Sequence, residues 1–271
     1  MLARQRQELI LQEVEQTGGV RVSDLVDRFG VSDMTVRRDI EVLARKNLVV
    51  KVHGGATAAG TRHPDEPGFS VKSEINPAHK SEIARTAASL IEPGSTIAVS
   101  AGTTAYAVAV ELRPIKRLTV VTNSPRVAEV LFDADRDDQL VVLTGGVRTP
   151  SDALAGPVAN TMLADIHVET LILGVHGIDL AAGLTTPNLQ EAQTNRALIK
   201  SARRIVVVAD HSKWGVVGLQ TIAPLGDVDT LVTDADLDPE ARRAIADLGV
   251  QLIVAPRPDE PHSSANVVLE K

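Results

Sequence analysis

Residues 31–48, VSDMTVRRDIEVLARKNL, read as one capped amphipathic helix with adjacent arginines on its open side. Ser32 is placed to cap the helix, and the acid Asp33 suits the positive end of its first turn. Val36, Ile40 and Leu43 recur at helical spacing and predict a buried stripe, which leaves Thr35, Arg37, Arg38, Glu41 and Arg45 on or near the surface. Just upstream, residues 23–29 (SDLVDRF) predict a shorter helix with Leu25, Val26 and Phe29 inward, and Gly30 supplies the tight turn between the two. Helix, glycine turn and capped basic helix make a helix-turn-helix pattern. In that geometry Ser32, Asp33, Thr35 and Arg38 are candidates to read bases or phosphates of duplex DNA, while Arg37 and Arg45 grip the backbone.

Two arginines on an exposed helix face are ordinarily a solvated surface, and it is the flanking sequence that raises the DNA reading. Residues 48–56 (LVVKVHGGA) predict a short apolar strand that carries Lys51 and His53 and breaks at a double glycine. Such a strand is a wing that brings both cationic side chains to the DNA backbone. Residues 2–17 predict a first helix with Leu9, Ile10, Glu13 and Val14 along one side, and residues 20–22 a strand pairing with the wing at 48–53. The segment 23–56 resembles the winged helix-turn-helix domain of the DeoR family of bacterial transcriptional repressors. Its hallmarks stand here as 32–39 (SDMTVRRD) and 53–56 (HGGA). Two departures, Asn47 where glycine is common and Lys51 where arginine is common, remove no positive charge from the wing.

The 271 residues leave room for two unequal domains, and 44% hydrophobic content is enough for a core. The net charge of −7 hides an asymmetry: residues 1–57 carry 9 Lys and Arg against 8 Asp and Glu, the rest 19 against 27. An acidic body repels DNA, so DNA contact is expected of the N-terminal module alone. With no cysteine, disulfides, thiol chemistry and cysteine metal sites are excluded. Aromatics at 2% argue against a base-stacking platform for single strands. No apolar leader or spanning segment is read, so a cytoplasmic chain without a membrane partner is the expectation.

The expected organisation is a winged helix-turn-helix at 1–57, a linker at 58–78 with its prolines, glycines and unpatterned charge, an α/β domain at 79–255, and a polar tail at 256–271 whose residues 267–269 add an edge strand. Within 79–255, apolar runs near 96–100, 118–122, 140–144, 170–174, 205–209, 230–233 and 251–254 alternate with helical stretches. Strands apolar throughout and separated by helices require a mostly parallel, doubly wound sheet covered on both faces.

In such sheets a ligand sits beyond the carboxyl ends of the strands. Small polar residues recur there, at 100–104 (SAGTT), 122–124 (TNS), 144–148 (TGGVR), 174–179 (GVHGID) and 209–213 (ADHSK). Any one of these is an ordinary turn; five in register point to a pocket. Gly102, Thr103 and Thr104 form an anion cradle, with backbone N–H groups, two hydroxyls and a helix dipole for a phosphate. Neither the P-loop triplet nor a G-x-G-x-x-G fingerprint is present, which disfavours nucleotides. Arg148 and Lys213 are candidate cationic contacts, each by default a surface charge.

Here too the chain resembles DeoR-type repressors: AGTTAYAVAVEL, VVTNSPRVAEVL, LTGGVR, LGVHGID, GLTTPNLQEA and DHSKWG match their effector-sensing domain in order and spacing. The resemblance implies a fold similar to ribose-5-phosphate isomerase, glucosamine-6-phosphate deaminase and CoA transferases, and a phosphorylated sugar as effector. It adds Asn123, Gly145, Gly146, His176, Asp179 and Glu191 to the effector-contacting set. Ser100, Ala105 and Asn195 stand where aspartate, threonine and lysine are frequent, and bear on which sugar is bound. An isomerase or deaminase-like enzyme would use Glu191 or Asp179 as its base. A DNA-reading module fused to the pocket favours a sensor with no catalytic residue, cofactor or metal. Paired half-sites imply a homodimer or homotetramer on double-stranded operator DNA.

Overall fold

A computed structural model describes residues 3–17, 19–45, 48–52, 54–58, 68–133, 135–258 and 268–270, and the chain forms two compact units, Met1–Glu66 and Pro67–Lys271. The first unit runs α1 (Ala3–Thr17), β1 (Gly19–Arg21), α2 (Val22–Phe29), α3 (Asp33–Arg45), β2 (Val49–Val52) and β3 (Gly55–Ala58). Its core gathers Ile10 and Val14 of α1, Leu25 of α2, the Val36, Ile40 and Leu43 stripe of α3, and Val49. Gly30 joins α2 to α3 in the left-handed region (φ 61°), and its N–H donates to the Val26 carbonyl, closing the turn that glycine alone adopts without strain.

Three expectations are corrected in this unit. The N-terminal strand pairs with β3 rather than with residues 48–53, so the sheet order is β1-β3-β2. Gly54 (φ 79°) sits in the turn. Gly55 does not break the strand but begins its return: a Cβ there would lie 2.0 Å from the Val20 carbonyl oxygen, so only glycine admits β1 at that distance. In α1 the inward line is Arg6, Ile10 and Val14, and Leu9 is exposed.

The second unit starts inside the stretch expected to be linker. There α4 (Phe69–Ser73) sets Phe69 edge-on against Tyr106 at 5.5 Å between ring centroids. It continues through α5 (Pro77–Ala88), β4 (Thr96–Val99), α6 (Thr103–Leu112), β5 (Thr119–Thr122), α7 (Pro125–Leu131), β6 (Leu140–Leu143), β7 (Val147–Arg148), β8 (Leu154–Ala155) and α8 (Pro157–Leu163). Then follow β9 (Val168–Gly174), β10 (Gly177–Asp179), β11 (Gly183–Thr186), α9 (Leu189–Ser201), β12 (Ala202–Val208), β13 (Gln220–Ala223), β14 (Thr230–Thr233), α10 (Pro239–Asp247), β15 (Gln251–Val254) and β16 (Val268–Glu270).

The main sheet has the order β16-β15-β14-β12-β9-β4-β5-β6, parallel except for the edge strand β16, which runs antiparallel to β15. Alternate residues serve opposite faces. Ile97, Val99, Val120, Ile172, Val206, Val208 and Val232 meet α5, α6 and α7, whereas Ala98, Val121, Leu171, Leu173, Val207, Leu231 and Leu252 meet α8, α9 and α10. Burial on both sides is why these strands read as unbroken apolar runs. The hairpin β7–β8 and the small antiparallel sheet β10-β11-β13 were not anticipated, because their short strands lack an apolar signature. Among the described residues no helix is long and apolar enough to cross a membrane.

Candidate functional site

At the head of α3, the Ser32 hydroxyl oxygen accepts from the Thr35 N–H at 3.3 Å and lies 2.8 Å from the Thr35 hydroxyl, which caps the helix. Asp33 and Arg37 form an i,i+4 ion pair at 2.5 Å, and the hydrogen bond that Arg37 donates to Asp33 raises the Arg37 pKa further above its ordinary value. Four of the DNA-contact candidates therefore occupy one exposed turn, already hydrogen-bonded in pairs. Arg38 is exposed beside them. Arg45 lies at the end of α3 and Lys51 on β2, but their side chains fall outside the described atoms, and His53 lies outside the described residues altogether.

Two residues of α3 escaped the sequence reading. Met34 is 76% exposed in the first turn, an apolar side chain on the face that carries Arg38. Asp39 is buried: its carboxylate accepts from Arg6 Nε at 2.5 Å and from Gln7 Nε2 at 2.9 Å, locking α1 to α3. The signal was available, since an acid inside a buried stripe demands a cation and Arg6 shares the 6, 10, 14 line of α1.

In the second unit, β5 and β6 lie to one side of β4, and β9, β12, β14 and β15 to the other, so the order reverses between β4 and β9. A ligand is expected at the carboxyl ends there. The two strand ends are stitched together by Ser100, whose Oγ accepts from the Gly174 N–H at 2.9 Å. Asn123 braces the same loop: its Oδ1 accepts from the Ala101 N–H at 2.9 Å and its Nδ2 donates to the Leu154 carbonyl at 3.1 Å, which commits both ends of a buried amide. Ahead of them α6 begins at Gly102 (φ 128°) with no side chain capping its first turn, and a Cβ at Gly102 would meet nothing within 4 Å. Thr103 is half-buried and Thr104 buried in that turn. By contrast α7, α9 and α10 are capped by Ser124, Asn188 and Asp238.

The remaining effector candidates fall into different settings. Gly145 and Gly146 adopt positive φ ahead of β7, and a Cβ on Gly146 would lie 2.8 Å from the Ala155 carbonyl oxygen. Arg148 is exposed and paired with Asp152, which also holds Arg126; the hydrogen bond from Arg148 is the main reason the Asp152 carboxyl lies below the usual range. Glu191 is buried at the start of α9, where it accepts from the Ser151 hydroxyl. Asp179 closes the β10–β11 turn by accepting from the N–H groups of Ala181 and Ala182 at 2.9 and 2.8 Å. His176 is half-buried in the loop after β9.

Lys213 ends a 3-10 turn (His211–Lys213) that follows β12. Beside it stands a residue the sequence reading passed over. Lys80, buried in α5, donates from Nζ to the carbonyls of Lys72 and Ile75 at 2.6 Å each. Burial pushes its pKa down to about 8, with Lys213 and Lys72 lowering it further and Asp210 opposing. Burial alone would raise the Asp210 carboxyl, but Lys213, Ser212, Lys80 and Asn76 outweigh it and hold that acid below the ordinary range. Two lysines thus face the buried Asp210 carboxylate just beyond the end of β12. A lysine in the first turn of an apolar-faced helix, 130 residues before Asp210, gave no sequence cue.

Residues 75–235 match the model of the DeoR C-terminal sensor domain, and residues 6–62 that of the DeoR-like helix-turn-helix domain. The chain is 34% identical over 254 residues to the HTH-type transcriptional regulator GlpR of Haloferax volcanii, covering 93% of this chain and 98% of that one. It is 33% identical over 255 residues to the glycerol-3-phosphate regulon repressor of Escherichia coli K12, covering 93% and 99%. Among solved structures it is similar to ribose 5-phosphate isomerase A from Neisseria gonorrhoeae, at 18% identity, 52% and 54% coverage and a TM-score of 0.36.

Proposed function

The chain belongs to the DeoR family of transcriptional regulators, and from that premise we propose that it is a repressor released from its operator by a phosphorylated sugar. The observation that carries the proposal is α3. Its apolar stripe and the Arg6–Asp39 lock fix the helix on the domain core, while Met34 and Arg38 stay exposed on the outer face. That face is suited to the major groove, with Arg38 reading base edges or phosphates and Ser32, Asp33, Thr35 and Arg37 positioning the first turn. Arg45, Lys51 and His53 are assigned to the DNA backbone.

In the sensor unit the reading places a phosphate on the uncapped first turn of α6, with Gly102, Thr103 and Thr104. Three adjacent strands, β4, β9 and β12, span about 10 Å at their ends, so a sugar phosphate bridges from that cradle past His176 to the positive charge at Lys213. Arg148, Asp179, Glu191, Gly145, Gly146 and Asn123 shape the surround. The acid an isomerase would employ is engaged by Ser151 at Glu191, and by backbone N–H groups at Asp179, which favours sensing over turnover. Effector binding favours a subunit arrangement whose α3 helices no longer fit paired half-sites, with a coupling of about 1–3 kcal/mol.

The test is fluorescence anisotropy of the dimeric or tetrameric protein on a duplex it selects in vitro, titrated with a panel of sugar phosphates. One of them is expected to weaken binding by about 5- to 150-fold and to raise the melting temperature of the sensor unit. Failure to bind any duplex at low salt refutes the regulator reading. Turnover of ribose 5-phosphate or glucosamine 6-phosphate that is lost in Glu191→Gln refutes the sensor reading in favour of an enzyme.

A further inference from the structure

Beyond the sensor cleft, the fold assembles four side chains that the sequence keeps on three separate segments. His79 comes from the first turn of α5, His211 from the 3-10 turn after β12, and Asp234 and Asp236 from the loop after β14. One donor atom from each lies within 4.8 Å of all the others. His211 Nδ1 stands 2.9 Å from Asp234 Oδ1, His79 Nδ1 3.8 Å from the same oxygen, and His79 Nε2 3.7 Å from Asp236 Oδ2. Two ligands of a tetrahedral zinc ion, each about 2.0–2.1 Å from the metal, are about 3.3 Å apart. His211 Nδ1 and Asp234 Oδ1 already lie within that spacing, while His79 offers one nitrogen at a time, Nδ1 toward Asp234 or Nε2 toward Asp236, so a shift of its ring and of the Asp236 carboxylate brings one donor from each residue, now within 4.8 Å of one another, onto one ion.

The frame is stiff where a ligand must be preset. Asp234 is 1% exposed, and the N–H groups of His211 and Asp236 donate to its two oxygens at 2.9 Å each, fixing the carboxylate plane. The two imidazoles meet edge to face with centroids 5.4 Å apart, and both are half-buried. Asp236 uses Oδ1 for Arg257 at 3.2 Å and turns Oδ2 toward His79.

We propose that this chain binds one divalent transition-metal ion of the zinc class on His79, His211, Asp234 and Asp236. Two imidazoles and two carboxylates suit such an ion, whereas calcium and magnesium require more oxygen ligands. The bound ion clamps the start of α5 to the ends of β12 and β14, and so fixes the backbone that carries Lys80 and Lys213. The proposal does not depend on which effector the cleft binds.

The experiment uses untagged full-length protein stripped with a chelator, then titrated with Co2+ followed by visible absorption and with Zn2+ by calorimetry. One equivalent is expected to bind, with tetrahedral cobalt bands and a rise of roughly 5 °C or more in the melting temperature of the second unit at a hundredfold excess over Kd. His79→Ala and Asp236→Asn should each weaken binding at least 10-fold, and His79→Ala with His211→Ala should abolish it. Absence of stoichiometric binding overturns the proposal. So does unchanged affinity in the double variant, which would place the ion on the other five of the seven histidines. If the double variant fails to fold, Asp236→Asn on its exposed loop decides alone.

Discussion

Replacing Asp39 by alanine should detach the recognition helix from the domain that carries it. The carboxylate is 4% exposed and accepts from Arg6, itself 7% exposed, and from Gln7. Removing it leaves a guanidinium buried without a counter-ion, at a cost of about 3–5 kcal/mol. The unit Met1–Glu66, at roughly 0.05–0.15 kcal/mol per residue, has a total stability of about 3–10 kcal/mol. The substitution therefore removes a third or more of the stability of that unit and in the lower range unfolds it. Hydrogen exchange read by mass spectrometry should show loss of protection in α1 and α3, with the second unit unaffected, and anisotropy on a selected duplex should show binding lost in proportion. Because apolar replacement of both partners avoids the orphaned charge, Arg6→Met with Asp39→Leu should recover most of the protection. Two results refute the reasoning: Asp39→Ala with unchanged exchange and full DNA affinity, or lost DNA affinity with exchange unchanged. The second outcome would make Asp39 a DNA contact rather than a lock.

Other perturbations separate the remaining roles. Arg38→Ala should weaken duplex binding by roughly 10-fold, within the 1–3 kcal/mol of a base contact, and leave sugar-phosphate-induced thermal shifts intact. Thr103→Val or Lys213→Ala should abolish those shifts while duplex affinity measured without effector is retained. Gly55→Ala drives a Cβ into the Val20 carbonyl and should destabilise the first unit by about 1–3 kcal/mol in urea melts. The Asp138 carboxyl is pulled down to about 2, chiefly by the Arg136 side chain and then by the Arg117 N–H. Its stabilising effect is therefore full above the ordinary carboxylate pKa of about 4 and lost as pH falls toward about 2. Asp138→Asn should narrow the stability gap from wild type over that interval, and a carboxyl titrating near 4 by NMR would contradict the assignment.

What was legible in the sequence was whatever has a period or a cap. Val36, Ile40 and Leu43 announced α3, and the twice-buried strands announced a parallel sheet because both faces demand apolar residues. Contacts that depend on meeting across the fold left no such trace. Arg6 with Asp39 and Lys80 with Asp210 are pairs of ordinary charged residues until the helices pack. Asn123 reads from the sequence as one of several small polar residues at strand ends, and that both ends of its amide brace the neighbouring loops emerges only once the strands lie side by side. β7, β10 and β11 were missed since two to four residues of mixed polarity carry no alternation to read.

The pairing of β1 with β3 means that the head piece is zipped between a strand near its beginning and one near its end. The chain enters and leaves that sheet on neighbouring rungs, so everything between is a closed cassette. A fragment of residues 1–58 should consequently stand as an independent folding unit. It should be transplantable onto an unrelated sensing body without rebuilding its interior, because among the described residues every strand of its sheet lies within that fragment.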